Sequence, residues 1–458
     1  MSETLCSVGL DVGTTSTQLV VSELTVENRA SAFSVPEQVI TRRRILHRSP
    51  VYFTPLLSGD LVDGEKLRTI VEQEYARAGI TRSSVDTGAV IITGETSRKE
   101  NANTVLQALS DLAGDFVVAT AGPDLEAVLA ARGAGAVELS LRTQLPVLHL
   151  DIGGGTSNLA LIRNGEIRRT GCLNIGGRLL KTAENGTISY ISPVLQGITS
   201  LRVGQAAPSE ALEALAGQLT NALAAAAGLV REEALLDAFQ TAEAARPWQP
   251  PEEPVLLSFS GGVADCILHD HPTGAFGDLG PQLGRAIRKS ILCRGDYVVG
   301  EDGIRATVLG AGCHSTQLSG STVYYQNIAF PLKNLPVVHV RHSQEISGAL
   351  SAMEGPSVLA LPVLEKTDYA QVALLAETIA CFARPPVLVC LEQDLAKALG
   401  QALALRLGPE DPVLCIDRVR LSQGSYLDIG NPLSCALPVV VKTLALAAGA
   451  PIHNETIR

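Results

Sequence analysis

One short pattern occurs twice in this chain and constrains its fold more than any other feature. It reads Leu10-Asp11-Val12-Gly13-Thr14-Thr15-Ser16 near the start, and Leu150-Asp151-Ile152-Gly153-Gly154-Gly155-Thr156-Ser157 further along. In each copy an apolar β-patterned run ends on an aspartate, a glycine turn follows, hydroxyl residues close the turn, and a second β-patterned run leaves it. Glycine lets backbone N–H groups approach phosphate oxygens with no Cβ in the way, and threonine hydroxyls add donors. An aspartate at the strand end is placed to hold Mg2+ through water, because that ion sheds its hydration shell reluctantly. One loop of this kind reads equally well as a polar hairpin turn. Two in order, ahead of a Ser260-Gly261-Gly262 turn between a strand and a helix pattern, point to a phosphate-binding constellation. By itself the Gly261-Gly262 turn also reads as a plain strand-to-helix connection.

The composition sets bounds on what surrounds these loops. A length of 458 residues suggests about three folded units. Hydrophobic residues at 46% against 18% charged allow large cores, and aromatics at 4%, with Trp248 alone of its kind, leave those cores to Ala, Val, Leu and Ile. A net charge of −11 removes the attraction that dominates binding to a phosphate backbone, so no nucleic-acid partner is expected. The opening MSETLCSVGLDVGTT has no basic or long apolar region of a secretory signal. The late apolar stretch at 437–451 is interrupted by Pro438, Lys442 and Pro451, so no membrane partner is expected either. Nine cysteines without a C-x-x-C pair fit reduced thiols and a cytoplasmic location.

Periodicity orders the chain into strands at 5–10 and 18–22, an Asp63-capped helix ending at Gly79, and a strand at 88–93. A helix at 101–112, a strand at 116–120 and a helix at 124–136 follow. A second unit starts at Val147, with a hairpin turn at Asn164-Gly165, Ala-rich helices at 209–228 and 231–245, and a proline-rich linker at 246–254. The strand–turn–helix at 256–267, a Gly/Pro-rich stretch at 271–284 and a helix-like run at 305–318 complete it. Beyond about Thr322, apolar strands at 337–340, 358–361, 387–390 and 413–416 alternate with helices at 369–382 and 392–406. That alternation predicts a third α/β unit with mostly parallel strands.

The three glycine turns resemble the phosphate-1, phosphate-2 and adenosine motifs of the actin, sugar-kinase and heat-shock-chaperone ATPase superfamily. Asn174-Ile175-Gly176-Gly177 is similar to the Gly-Gly turn after the phosphate-2 hairpin. The segment from Gly122-Pro123-Asp124-Leu125-Glu126-Ala127 through Gly135 is similar to the first inter-domain connecting helix, and 306–318 to the second, whose small residues let the domains hinge. At finer grain the segments ITGETSRKENANTVLQAL, FVVATAGPDLEAVLAARGAGA, LHLDIGGGTSNLA and RLSQGSYLDIGNPL resemble the ethanolamine ammonia-lyase reactivating factors, the EutA family, essentially end to end. The resemblance implies an α/β, actin-like ATPase fold. Two related ribonuclease-H-like domains, 1–145 and 146–321, would flank a nucleotide cleft, with a C-terminal α/β domain at 322–458.

It further implies ATP and Mg2+ as cofactors, and ethanolamine ammonia-lyase, an adenosylcobalamin enzyme, as partner. ATP would drive release of damaged cobalamin so that intact coenzyme can rebind. Asp11 and Asp151 would be catalytic and hold the metal. Gly13, Thr14 and Thr15, with Gly153, Gly154, Gly155 and Thr156, would bind phosphates, and Gly261 and Gly262 would pack against the nucleoside. A homo-oligomer and association with the ethanolamine-utilization bacterial microcompartment are compatible with the family.

The family pattern places a water-orienting carboxylate in the first connecting segment. Asp124, Glu126 and Glu95 are the candidates, and each also reads as a helix-start carboxylate facing the dipole. No lysine matches the catalytic lysine of the chaperones, and Arg178 stands where they carry acidic residues, which implies slow, partner-stimulated turnover. A small-molecule kinase and a bacterial actin-like scaffold are the alternatives; a polyphosphate hydrolase fits the −11 charge poorly. Cys266, His269, Asp270 and His271 read as an ordinary loop more readily than as a metal site. The basic run Arg42, Arg43, Arg44, His47 and Arg48 reads as a solvated strand face or as a dock for an acidic surface. The Ala-rich helix around 219–230 reads as packing, and the third unit as the part that engages the lyase.

Overall fold

The computed structural model describes residues 3–13, 16–28, 38–58, 61–92, 117–120, 123–241, 247–300, 305–314, 316–319, 322–353, 355–364, 367–419, 421, 425–433 and 436–443. Strands β1 (Glu3–Val12), β2 (Ser16–Asn28), β3 (Gln38–Arg48) and β4 (Tyr52–Phe53) come first, then the short pair β5 (Leu56–Ser58) and β6 (Leu61–Val62). Helix α1 (Gly64–Ala78) starts where the Asp63 carboxylate accepts the Lys66 N–H at 3.1 Å. It stops where Gly79 turns left-handed at φ 68°. Between these caps Leu67, Val71 and Tyr75, at four-residue spacing, bury one stripe. Strands β7 (Thr87–Ile92) and β8 (Val117–Thr120) complete a sheet of order β3-β2-β1-β7-β8 with β4 beside β2. In it β1 runs antiparallel to β2 and parallel to β7. Helices α2 (Pro123–Gly133) and α3 (Ala136–Thr143) follow. The helix expected at 101–112 lies outside the described residues.

The second sheet repeats the first. Strands β9 (Val147–Ile152), β10 (Ser157–Arg163) and β11 (Glu166–Leu173) form its meander. Asn164 and Gly165 turn β10 into β11 with φ of 50° and 74°, the two positive values a type I′ hairpin turn requires. After β12 (Leu180–Thr182), β13 (Ile188–Ile191), α4 (Ser209–Ala226) and α5 (Glu233–Ala238) come β14 (Leu256–Ser260), α6 (Gly262–Leu268), α7 (Gly280–Lys289) and β15 (Tyr297–Val299). The order β11-β10-β9-β14-β15, with β9 antiparallel to β10 and parallel to β14, matches the first sheet strand for strand. Helix α8 (Ala306–His314) follows β15 as α2 follows β8. Each of these two helices packs on the other unit's sheet, α2 against β9, β10 and β11, and α8 against β1, β2 and β7. They also pack on each other with backbones in contact. A Cβ added at Gly133 would lie 1.8 Å from the Ala306 carbonyl oxygen, and one at Gly310 would lie 2.0 Å from that of Leu129.

A third sheet contains β16 (Thr316–Leu318), β17 (Tyr324–Gln326), β18 (Leu332–His339), β19 (Val358–Ala360), β20 (Val387–Leu391), β21 (Val413–Asp417), β22 (Ser425–Ile429) and β23 (Pro438–Thr443). Its order is β16-β23-β22-β18-β19-β20-β21-β17. Helices α9 (Ile346–Ser351), α10 (Tyr369–Phe382) and α11 (Ala396–Ala404) cover one face, meeting Leu359, Val389 and Cys415. The alternate residues Val358, Leu388 and Leu414 face the other way, toward Leu427 and Val439. Val440 of β23 packs with Ala89 and Ile91 of β7 and Leu129 of α2, which joins this sheet to the first.

The α/β class, with a duplicated unit and a further α/β unit, is thus as expected, and three details differ. Only β18–β21 are parallel to one another; β16, β17, β22 and β23 pair antiparallel around them. Over the described part of the helix expected at 231–245, α5 stops at Ala238, and beyond it Gln240 bridges to Leu173 while its side-chain amide pairs with the Trp248 backbone; 242–245 lie outside the described residues. The helix expected at 306–318 ends at His314, since Thr316–Leu318 pairs with β23. The Ala-rich α4 is core, burying Leu212, Leu215, Leu219 and Leu223.

Candidate phosphate-binding site

Asp11 and Asp151 hold the same place in the two sheets. Asp11 lies opposite Gln18 on β2, and Asp151 lies opposite Asn158 on β10. Both following turns close with the same bond: the Gly13 N–H donates to the Ser16 carbonyl at 2.9 Å, and the Gly153 N–H donates to the Thr156 carbonyl at 2.9 Å. Thr14, Thr15 and Glu95 lie outside the described residues.

The second loop is gripped from two sides. The Gly177 N–H donates to Gly153 O at 3.0 Å and the Arg178 N–H to Gly154 O at 2.6 Å. Gly176 approaches so closely that a Cβ there would sit 2.3 Å from Gly154 O. On the other side Gly261, at φ +87°, approaches β9; a Cβ there would meet Ile152 O at 2.3 Å. The turn at Gly261 and the Gly176-Gly177 turn thus both require glycine for close backbone approach. Around Gly155 a Cβ would find nothing within 4 Å, so this side of the loop is open.

Asp151 is only 7% exposed. Ser260 Oγ donates to its Oδ1 at 2.5 Å, and Asn158 and Thr307 add side-chain hydrogen bonds. Burial pushes its carboxyl up to about 6 against those three bonds. Behind it the buried His149 ring spans two hydroxyls, Nδ1 to Ser258 Oγ at 3.0 Å and Nε2 to Ser260 Oγ at 2.9 Å. Burial pushes His149 down to about 3, so the ring is neutral. These contacts follow from register, since β14 sets Ser258 beside His149 and Ser260 beside Asp151.

Of the candidate water-orienting carboxylates, Glu126 is buried, and its Oε2 accepts the Asn158 Nδ2–H at 3.1 Å. Asp124 turns to β11, where Thr170 Oγ1 donates to it at 2.5 Å. Asn158 therefore joins Asp151 to Glu126, while its own Oδ1 is buried without a partner. Asn158, His149 and Thr307 were not anticipated from the sequence, nor was the contact of Ser260, named there only as the start of its turn, with Asp151. The alternation His149-x-Asp151 against Ser258-x-Ser260 was the available signal.

Arg178 lies along the second loop. A Cβ at Gly154 would be 3.2 Å from its Cδ, and its Nε donates to Asp278 Oδ2 at 3.2 Å. The other Asp278 oxygen accepts the Gly280 N–H at the start of α7, at 2.9 Å. Burial raises the Asp278 carboxyl above its ordinary range, opposed by these donors.

The first loop is supported differently. Thr54 Oγ1 donates to Gly13 O at 2.7 Å and meets Thr17 Oγ1 at 3.1 Å. Its neighbour Tyr52 donates to Glu74 Oε1 at 2.5 Å, and His47 Nε2 lies 2.7 Å from Oε2 of the same carboxylate. Arg77 also pairs with Glu74, whose side chain is 0% exposed. Burial works to raise this carboxyl, but the bonds from Tyr52, His47 and Arg77 outweigh it and leave it below the ordinary range.

Arg42, Arg43, Arg44 and Arg48 are exposed on the edge strand β3, with Arg44 paired to Glu23 at 3.1 Å. Arginines on an edge also deter strand-to-strand association. In the 266–271 cluster Cys266 is buried in α6, His271 and His269 lie 3.0 and 3.9 Å from the two oxygens of Asp265, and Asp270 pairs with Arg288. Among the described residues no group of three or more His, Cys, Asp or Glu side chains could hold a metal. Nor is any helix among them long and apolar enough to cross a membrane.

The fold and this site define a duplicated α/β protein with an Asp–glycine turn at the same position of each repeat. The chain belongs to the family of ethanolamine utilisation protein EutA, whose sequence model matches residues 3–447. It is 38% identical to "Ethanolamine ammonia-lyase reactivase EutA" of Salmonella typhimurium over 96% of this chain and 98% of that one. It is 39% identical to the protein of the same name from Escherichia coli, with the same coverage. Among solved structures it is similar to a Ppx/GppA family member from Aquifex aeolicus, with 13% identity, a TM-score of 0.41, and 67% of this chain and 97% of that one covered.

Proposed function

We propose that this protein is an ATP-dependent reactivase of ethanolamine ammonia-lyase. It would release damaged cobalamin from the inactivated lyase so that adenosylcobalamin can rebind. The observation that carries the reading is the similarity over 96% of the chain to proteins named as reactivases of that lyase.

The residues present fit a magnesium nucleotide. Gly155 is unobstructed, the buried Asp151 stands one residue before its strand's end in the position Asp11 repeats, and Asn158 Oδ1 is a buried acceptor without a partner. Bound there, Mg2+ would neutralise phosphate charge. In this reading Asp11 and Asp151 hold the hydrated ion, and the loops at Gly13–Thr15 and Gly153–Thr156 bind phosphates. Gly261 and Gly262 lie against the nucleoside. Glu126, fixed by Asn158, orients the attacking water; Asp124 is occupied by Thr170. The duplicated units act as halves 1–145 and 146–321, and the region at 322–458, whose sheet already includes β16, engages the lyase.

The test mixes the protein with cyanocobalamin-inhibited ethanolamine ammonia-lyase and follows cobalamin release with and without Mg-ATP. ATP-dependent release is expected. Equal release in both arms removes the ATP-driven mechanism, and no release in either removes the reactivase.

A further inference from the structure

We infer that Arg178 is the side chain by which this site tells a nucleoside triphosphate from a diphosphate, with Asp278 as its positioning residue. This rests on the nucleotide-binding reading above and adds a recognition element to it. Arg178 enters the site by two routes. Its backbone N–H is bonded to Gly154 O at 2.6 Å, and its aliphatic stem lies across Gly154, the middle of the second glycine loop. Among the described residues the guanidinium is tethered through Nε, to Asp278 Oδ2. Asp278 is itself fixed, because its second oxygen is taken by the Gly280 N–H. A guanidinium held by one Nε–H keeps two terminal amino groups for another acceptor, and their planar fork matches phosphate oxygens bidentately.

A role limited to neutralising Asp278 does not account for this arrangement. The Arg178 side chain remains 26% exposed although its partner is 9% exposed, and its stem follows the loop rather than the protein interior. Lys181 also acts electrostatically on Asp278, yet its ammonium lies over the Tyr190 ring at 5.4 Å. Lys181 therefore serves as the control cation, contributing positive field to Asp278 from its place over Tyr190. The anion that would use a fork beside such a loop is the terminal phosphoryl group, the group that a triphosphate has and a diphosphate lacks.

The test is calorimetric titration of the full-length protein with MgATP and with MgADP at one ionic strength, for wild type, Arg178→Ala, Arg178→Lys, Asp278→Asn and Lys181→Ala. Loss of a charge-assisted phosphate contact should weaken MgATP on the order of 10- to 100-fold in Arg178→Ala while MgADP changes by less than about threefold. Asp278→Asn should shift the ATP-to-ADP ratio in the same direction by a smaller factor. A fifth variant that combines Arg178→Ala with Asp278→Asn should match Arg178→Ala alone, since one residue acts through the other. Lys181→Ala should leave the ratio unchanged. Equal weakening of both nucleotides, or of neither, in Arg178→Ala overturns the inference and leaves the nucleotide site standing. If Arg178→Ala does not fold, the ratio in Arg178→Lys decides in the same way. A wild-type protein that binds neither nucleotide overturns the site reading itself.

Discussion

The two halves of the duplicated region share their backbone and differ in how they support it. β1 and β9 each carry an aspartate one residue before their end, opposite an amide residue, and the turns after them close with the same bond at the same length. Around Asp151 the support is local and polar: Ser260, Asn158 and Thr307 reach the carboxylate itself, from β14, β10 and α8. In the first half the bracing contacts seen among the described residues include a set behind the loop. Thr54 holds the Gly13 carbonyl, and Tyr52, two residues before it, is fixed by the buried Glu74, which also pairs with His47 and Arg77. Duplication of a fold thus preserved strand order and turn geometry, which backbone hydrogen bonding dictates, while the side chains bracing each loop diverged.

The largest effect should come from the helices that exchange between the halves. Gly133→Val or Gly310→Val forces a Cβ into a facing carbonyl, and either should cost roughly 3 kcal/mol or more, seen as a melting temperature lowered by many degrees. A normal melt for one of them would break the equivalence of the two crossings. Next, Glu126→Gln should lower ATP turnover on the order of 100-fold while Asp124→Asn changes it by less than about threefold, measured by phosphate release. The reverse order would move the water-orienting role to Asp124.

Proton linkage sets the halves against each other. Asp151 is raised to about 6 by burial, so its contribution to stability is present below the ordinary Asp range and lost as pH rises through about 6. Glu74 is held below its ordinary range despite burial. Its contribution is present above that range and is lost as pH falls through its folded value. Melts of ligand-free protein from pH 3 to 8 should therefore lose the fall in stability between the ordinary Asp range and about 6 in Asp151→Asn, and the fall below the ordinary Glu range in Glu74→Gln. Identical profiles for both variants would contradict the contrast. The smallest effect belongs to Gly155→Ala. With nothing near its Cβ, this change should alter stability by less than about 0.5 kcal/mol; a larger loss would mean that the open side of the loop is not open.

Much of this frame was legible in the sequence because it is local. Asp63 and Gly79 mark their helix ends, Asn164-Gly165 its hairpin, and the Asp–glycine turns their strand ends, each through residues a few positions apart. The polar cluster under Asp151 was not legible. Ser260 and Asp151 are 109 positions apart and meet only through the β9–β14 register. The same holds for the helices that fell short. The sequence pattern runs on past Ala238 and His314, but a bridge from Gln240 to Leu173 and pairing of Thr316–Leu318 with β23 claim those backbones. Local propensity yields to tertiary pairing in such places.

The central claim is that the two halves converge on one magnesium nucleotide, and titration of MgATP into wild type, Asp11→Ala and Asp151→Ala tests it most directly. One bound nucleotide per chain in the wild type, with affinity lost in both variants, is the expected result. Full affinity retained in either variant would contradict it.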